Sequence, residues 1–213
     1  MPEMHPSVTV YGASYSVYVR IVRIALHEKG VPYDLVPVDV FADEGVPPEH
    51  LARHPFGRIP AFEHDGFALY ETGAITRYVD EAFSGPPLQP SALRNRARMN
   101  QIVAMLDNYA YLPMVWDVYV QCMEPPEDEG PDEARIAAGL DRSRVFFAAL
   151  SDLLGEKEWF AGPAPSLADF HAAPMFGLFG ETPEGAALIR SFPAIAGWWE
   201  RMNIRPSLIA TLS

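Results

Sequence analysis

The stretch Phe56-Gly57-Arg58-Ile59-Pro60-Ala61-Phe62 limits what this chain can fold into more than any other. Pro60 interrupts what otherwise reads as a short buried strand. Proline has no N–H for a ladder, so within a sheet it is confined to an edge, a bulge or a first strand position. An X-Pro bond is also the one peptide for which the cis form costs only about 0.5–1 kcal/mol. A cis Ile59-Pro60 bond would turn the Ile59 N–H and C=O outward, toward a ligand. Asp65-Gly66 then gives a strong hairpin signal between Ala61-Phe62-Glu63 and Phe67-Ala68-Leu69-Tyr70. Glu71-Thr72 follows the second strand and opens a helix over Thr72 to Ala82. A hydroxyl at that point caps the helix, and the free N–H groups and positive dipole end attract a carboxylate.

Upstream, Val8-Thr9-Val10-Tyr11 reads as a strand that ends at Gly12. From Val17, the apolar residues Val17, Ile21, Ile24, Ala25 and Leu26 recur near helical spacing until Lys29-Gly30. Tyr33 to Val38 is a second strand, demoted to a sheet edge by Pro37. A short helix from Pro48 or Glu49 to Arg53 fits proline in a first turn. Parallel strands joined through a helix require a right-handed crossover. The order βαβ, then ββα, gives a four-stranded mixed sheet of thioredoxin-like pattern over residues 1–83. Gly85-Pro86-Pro87-Leu88-Gln89-Pro90 falls in a linker, 84–90. Residues 91–213 contain no good strand run and are expected to form an all-α domain. Its parts are a long helical stretch from Ser91 to about Gln121 kinked at Pro113, an exposed loop over Glu124 to Asp132, and a helix over Glu133 to Leu154. Ser166-Leu167-Ala168-Asp169 is a capping-box variant, and a last helix carries Trp198 and Trp199.

The charge balance removes whole classes of function. The net charge is −12, from 28 acidic and 16 basic residues among 213, which argues against a nucleic-acid backbone binder, since that needs a basic patch. Cys122 is the single cysteine and has no partner for an intramolecular disulfide, so a reducing, cytoplasmic compartment is expected. No cleavable leader and no apolar run of about 18 residues is read, so no membrane span is expected. The six histidines show no metal-ligand spacing. Nothing matches a phosphate loop or a hydrolase elbow.

The run His54-Pro55-Phe56-Gly57-Arg58-Ile59-Pro60-Ala61-Phe62, with Tyr70-Glu71-Thr72-Gly73-Ala74-Ile75-Thr76-Arg77-Tyr78, resembles the glutathione-binding half of cytosolic glutathione transferases. Val10-Tyr11-Gly12 through Lys29 looks most like the phi class. The capping box at Ser166 also opens a core helix in that family. The resemblance implies a cytoplasmic homodimer that binds glutathione, holds it as thiolate and directs it at a hydrophobic electrophile. Other glutathione chemistry on the same fold (ether cleavage, dehalogenation, isomerisation) and a non-catalytic glutathione- or ligand-binding module are the alternatives. A disulfide reductase would need a cysteine where Ser14 or Ser16 stands.

Magnitudes show that one hydroxyl is enough to activate the thiol. Lowering a thiol pKa from about 8.5 by two units takes about 2.7 kcal/mol of preference for the thiolate. One hydrogen bond to a charged group supplies about 1.5–3 kcal/mol, and a helix N-terminus adds up to about 1 kcal/mol. Ser16 stands immediately before the first helical run, at the phi-class offset from Gly12. Ser14 is the second candidate, at an offset used by some bacterial classes. Tyr11 and Tyr15 are weaker, though some classes use a tyrosine of the first strand.

The family pattern also implies the roles of the other residues. Glu71 meets the amino group of glutathione, and Thr72 with its N–H meets the γ-glutamyl carboxylate. Ile59, fixed by Pro60, pairs with the cysteinyl backbone as an added strand. The glycyl carboxylate needs a cation, yet the stretch matching the family's basic pair is Gly45-Val46-Pro47-Pro48. Arg58, where the phi pattern usually has glutamine, is expected to replace it in part. Phe56 matches the aromatic key that some members insert into the partner subunit; the other reading places it in its own core. Tyr15, Tyr109, Trp116 and Tyr119 are candidates for the hydrophobic pocket, with Phe176 and Phe179 on a later helix.

Overall fold

The computed structural model of the chain describes residues 7–125 and 130–212. The expected loop over Glu124 to Asp132 therefore lies partly outside the described residues. The elements in chain order begin with β1 (Val8–Tyr11), α1 (Val17–Lys29), β2 (Asp34–Val36), α2 (Pro48–Arg53), β3 (Ala61–His64), β4 (Phe67–Tyr70) and α3 (Thr72–Ala82). The four strands form one sheet in the order β2-β1-β3-β4. β1 and β2 are parallel, and the other two pairings are antiparallel. This is the thioredoxin-like arrangement. β2 lies on an edge, where Pro37 just beyond it breaks no ladder.

α1 is buried along most of its length, with Ile21, Ile24 and Leu26 almost wholly shielded, and it packs against α3, whose Ile75 and Val79 are fully buried. Its last turn carries a buried ion pair. Lys29 Nζ lies 3.1 Å from Asp80 Oδ1 and donates to the carbonyls of Asp80 and Pro86. Asp80 Oδ1 accepts from Leu88 N at 2.8 Å. The start of the linker is thus fastened to the ends of α1 and α3 by hydrogen bonds.

The chain divides into two compact units, Met1–Leu88 with Pro206–Ser213, and Gln89–Arg205. The helical unit begins with α4 (Leu93–Met105), which runs without a break into two π-helical segments, Leu106–Ala110 and Leu112–Tyr119, and then α5 (Val120–Met123). In an α-helix the Pro113 ring would clash with the carbonyl four residues back. Here the helix widens around Pro113. Asp117 anchors the widened segment to α6 (Glu133–Leu154), accepting from Arg135 Nε at 2.6 Å and Arg142 Nη2 at 2.7 Å.

α7 (Leu167–Glu181), α8 (Pro183–Arg190) and α9 (Pro193–Asn203) complete this unit. Their core is aromatic: Phe147 stacks on Phe176 at 5.0 Å, and Phe160 lies 4.5 Å from Trp198. Phe176 and Phe179 are fully buried in it, so they serve the core and not a pocket. Asp169 is a polar hub inside this core. It accepts from Ser166 N (2.8 Å), Ser166 Oγ (2.9 Å), Phe160 N (3.1 Å) and Trp198 Nε1 (2.9 Å). Burial pushes its carboxyl above the ordinary range, against the pull of those four donors.

The residues from Pro206 onward, which sequence assigned to the helical half, group with the sheet unit. α10 (Pro206–Ile209) packs against α1. Ser207 Oγ donates to Glu28 Oε1, and Arg23 Nη1 donates to the Thr211 carbonyl.

Candidate functional site

Strand register assembles the candidate site at one end of the sheet. Tyr11 pairs with Ala61, and Ala61 pairs with Tyr70. The residues just beyond these positions, Gly12, Pro60 and Glu71, therefore lie in a row across three neighbouring strands. Gly12 is required there by space: a Cβ on it would sit 2.5 Å from Val19 Cγ2 and 3.3 Å from Ile59 Cβ. Its bareness lets the first turn of α1 approach Ile59.

Ser16 is the N-cap of α1. Its N–H donates to Ala13 O at 3.1 Å, its carbonyl accepts from Arg20 N, and its Oγ accepts from Val19 N at 3.5 Å. A contact of 3.5 Å is at the weak end for a hydrogen bond. The hydroxyl proton is not used by this cap. Ser14 and Tyr15 occupy the turn before it and are exposed, Tyr15 by 59%.

The Ile59-Pro60 peptide is cis. Pro60 is buried and Ile59 half-buried. Glu71 is exposed, with φ at +72°, outside the region that ordinary L-residues favour. Its carbonyl accepts from Ala74 N and Ile75 N, which starts α3. Thr72 is buried as the first residue of that helix. The amides of Thr72 and Gly73, as the first two of a helix, have no intrahelical acceptor. This corner therefore offers a carboxylate at Glu71 and free N–H groups beside it. Such a pair matches an amino acid's ammonium and carboxylate.

Two histidines that the sequence reading left without a role shape the loop before Pro60. His50, on α2 and almost fully buried, donates from Nε2 to the Arg58 carbonyl at 2.8 Å. His54 is buried with its ring 4.8 Å from Tyr70. Desolvation lowers the His54 pKa, opposed by Glu71 and assisted by His50 and Arg58. His54 is thus neutral near pH 7 and supplies no cation. The Arg58 side chain is exposed, with no ion pair among the described residues. Arg53 is already engaged, over the Tyr11 ring at 4.2 Å and donating to the Glu49 carbonyl. The i, i+4 spacing of His50 and His54 was the available signal for this pair.

Phe56 is 70% exposed, with its ring in T-shaped contact with Tyr70 and His54. A place in its own core is excluded. On the helical unit, Tyr109 is exposed on the first π-helical segment, and Trp116 and Tyr119 are half-buried on the second. Among the described residues no group of three His, Cys, Asp or Glu side chains is placed to hold a metal ion. No described helix is long and apolar enough to cross a membrane.

The comparisons agree along most of the chain. Residues 10–87 match the family described as glutathione S-transferase, N-terminal domain, and residues 108–206 match its C-terminal domain. Glutathione S-transferase F13 of Arabidopsis thaliana is 30% identical over 203 residues, covering 94% of this chain and 92% of that one. The crystal structure of glutathione transferase F7 from Populus trichocarpa superimposes with a TM-score of 0.85 at 30% identity, covering 97% and 99% of the two chains. A structure of glutathione S-transferase-I bound with lactoylglutathione superimposes at 0.86 with 25% identity, covering 97% and 98%.

Proposed function

Because the chain belongs to the glutathione S-transferase family, most like its phi class, we propose that it binds glutathione across Ile59, Glu71 and Thr72 and activates the thiol with Ser16. Ser16 Oγ donates to the sulfur and stabilises the thiolate, while the thiol proton leaves to solvent. The thiolate then attacks an electrophilic carbon: an S–C bond forms, and a leaving group departs or a conjugate addition completes. The observation that carries this reading is the Ser16 cap, whose long acceptor contact leaves the hydroxyl proton free to point away from the helix. Ser14, exposed in the preceding turn, is the second choice.

The remaining roles follow the chemistry of the ligand. Glu71 takes the ammonium, and the Thr72 and Gly73 amides take the γ-glutamyl carboxylate. Ile59, held before Pro60, pairs with the cysteinyl backbone. Arg58 takes the glycyl carboxylate, in place of the cations that Gly45 and Val46 do not provide. Tyr15, Tyr109, Trp116 and Tyr119 supply aromatic surface for a hydrophobic electrophile. The protein acts as a cytoplasmic homodimer with Phe56 covered by the partner.

Ser16→Ala is expected to raise the pKa of bound glutathione by about one to two units, from the 1.5–3 kcal/mol of one hydrogen bond to a charge. Ultraviolet titration of the thiolate in the complex measures this. Activity with an aryl halide should fall most near neutral pH and recover in part in alkali. An unmoved titration sinks the Ser16 role, and a shift in Ser14→Ala instead transfers it. Arg58→Gln is expected to weaken glutathione binding more at low salt than at high salt. Calorimetry showing equal loss at both rules out the charge contact.

A further inference from the structure

A groove of about 630 Å³ opens on the helical unit between the first turns of α4 and the segment joining α6 to α7. Arg94, Arg98 and Lys157 line it, with Glu158 as the one acid. Leu153, Ala161 and Pro163 give it apolar walls. This is an unusual gathering in a chain of net charge −12.

No acidic side chain among the described residues neutralises these cations. Arg94 and Arg98 are one helical turn apart and exposed, a like-charge spacing that weakens a helix. Among the described residues no salt bridge joins either of them, Lys157 or Glu158 to an opposite charge. Arg98 Nη1 donates to a neutral amide, Gln101 Oε1, at 2.8 Å. Lys157 Nζ donates to the carbonyls of Leu153 and Leu154 at 2.7 and 2.8 Å. Those bonds fix the ammonium at the end of α6 without neutralising it.

The geometry points to a phosphate monoester of nucleotide size as the occupant of this groove. Two guanidinium forks one turn apart can share the three oxygens of a phosphate, whereas the two oxygens of a carboxylate are used up by one fork. A phosphate monoester carries about two negative charges, which matches three cations less one acid. Leu153, Ala161 and Pro163 face the organic part, and Glu158 accepts from its hydroxyl or amino groups. The volume lies in the ordinary range for small-ligand pockets, about 300–1,000 Å³. None of its lining residues is among those proposed for glutathione, so it does not rest on their assignment.

The test is calorimetric titration of adenosine monophosphate into the full chain, in phosphate-free buffer of low ionic strength. One site with a dissociation constant below about 1 mM is expected. Arg94→Gln with Arg98→Gln should weaken it at least about tenfold through loss of two charge-assisted forks. Both side chains are exposed, so melting temperature and glutathione binding should stay as in the parent protein. Adenosine should not bind, and inorganic phosphate should bind more weakly than the nucleotide through the same arginines. The amide resonances of Ala161 and Gly162 should move on titration, with or without saturating glutathione. The proposal is overturned by an absence of nucleotide binding, by equal binding in the double variant, or by displacement with glutathione. Inorganic phosphate binding as tightly as the nucleotide overturns it too, because the apolar walls would then be unused. A lower oligomer mass in the double variant overturns it in favour of a second copy of the chain in the groove.

Discussion

Glu71 occupies a backbone conformation that costs a non-glycine residue on the order of 1–3 kcal/mol, at φ +72°. Such a cost persists where the side chain is needed at that spot. Glu71→Gly separates the two contributions. Stability should rise by about 1 kcal/mol as the strain is relieved, while glutathione binding should weaken by about 2 kcal/mol as the ammonium loses its partner. Thermal melting and calorimetry read the two changes, which are expected to run in opposite directions. If both fall, the conformation is not strained; if binding is unchanged, Glu71 does not touch the ligand. The residue types at this corner were readable in the sequence because Pro60, the Asp65-Gly66 turn and the Glu71-Thr72 helix start each have a local physical signature. The φ of Glu71 had none, since nothing in the residue type asks for it. His50 escaped as well: its Nε2–H bond to the Arg58 carbonyl is set by tertiary packing.

At the scale of elements, the widened helix between Leu106 and Tyr119 is where sequence reasoning ran out. Apolar spacing tests for a period of 3.6 residues, and a slightly longer period leaves a similar pattern over two turns. Pro113 therefore read as a kink, whereas the chain stays helical by opening its turns. The same periodicity was sound for α6 and α3, which are long or strongly bounded. α8 and α10 were missed because eight and four residues offer too few repeats. What holds the widened segment is close packing on α6. A Cβ on Gly139 would sit 2.9 Å from Asp117 Cβ, 3.0 Å from Val118 Cγ2 and 3.1 Å from the Pro113 carbonyl oxygen. Backbone cannot yield as a side chain does. Gly139→Ala should cost on the order of 1–3 kcal/mol by overpacking, although alanine is the better helix former. Denaturant unfolding checks this, and a stabilised variant would show that the helices are free to separate.

For the whole molecule, the sheet unit leaves several large apolar side chains in water. Phe41, Leu51, Phe56, Phe67 and Tyr70 are each between 37% and 70% exposed. Exposed apolar surface of this kind marks an association face when it is contiguous, and Phe56 is its most exposed member. The chain is expected to be a dimer at micromolar concentration by light-scattering mass, and Phe56→Ser should shift it toward monomer. With each copy carrying −12, association should also tighten as salt is added. A monomeric parent protein removes Phe56 from that role. The return of the chain from Pro206 to the sheet unit has its own consequence. Sequence suggests two beads on one string, joined at 84–90, but the string passes between the units twice. The helical unit is thus an insertion within the other, bracketed by Leu88 and Pro206. A chimaera spliced at the linker alone would bring foreign residues at positions 207 and 211 to Glu28 and Arg23. Replacing the helical unit of this chain intact needs two crossovers, one after Leu88 and one before Pro206, and not a single cut at the proline-rich seam.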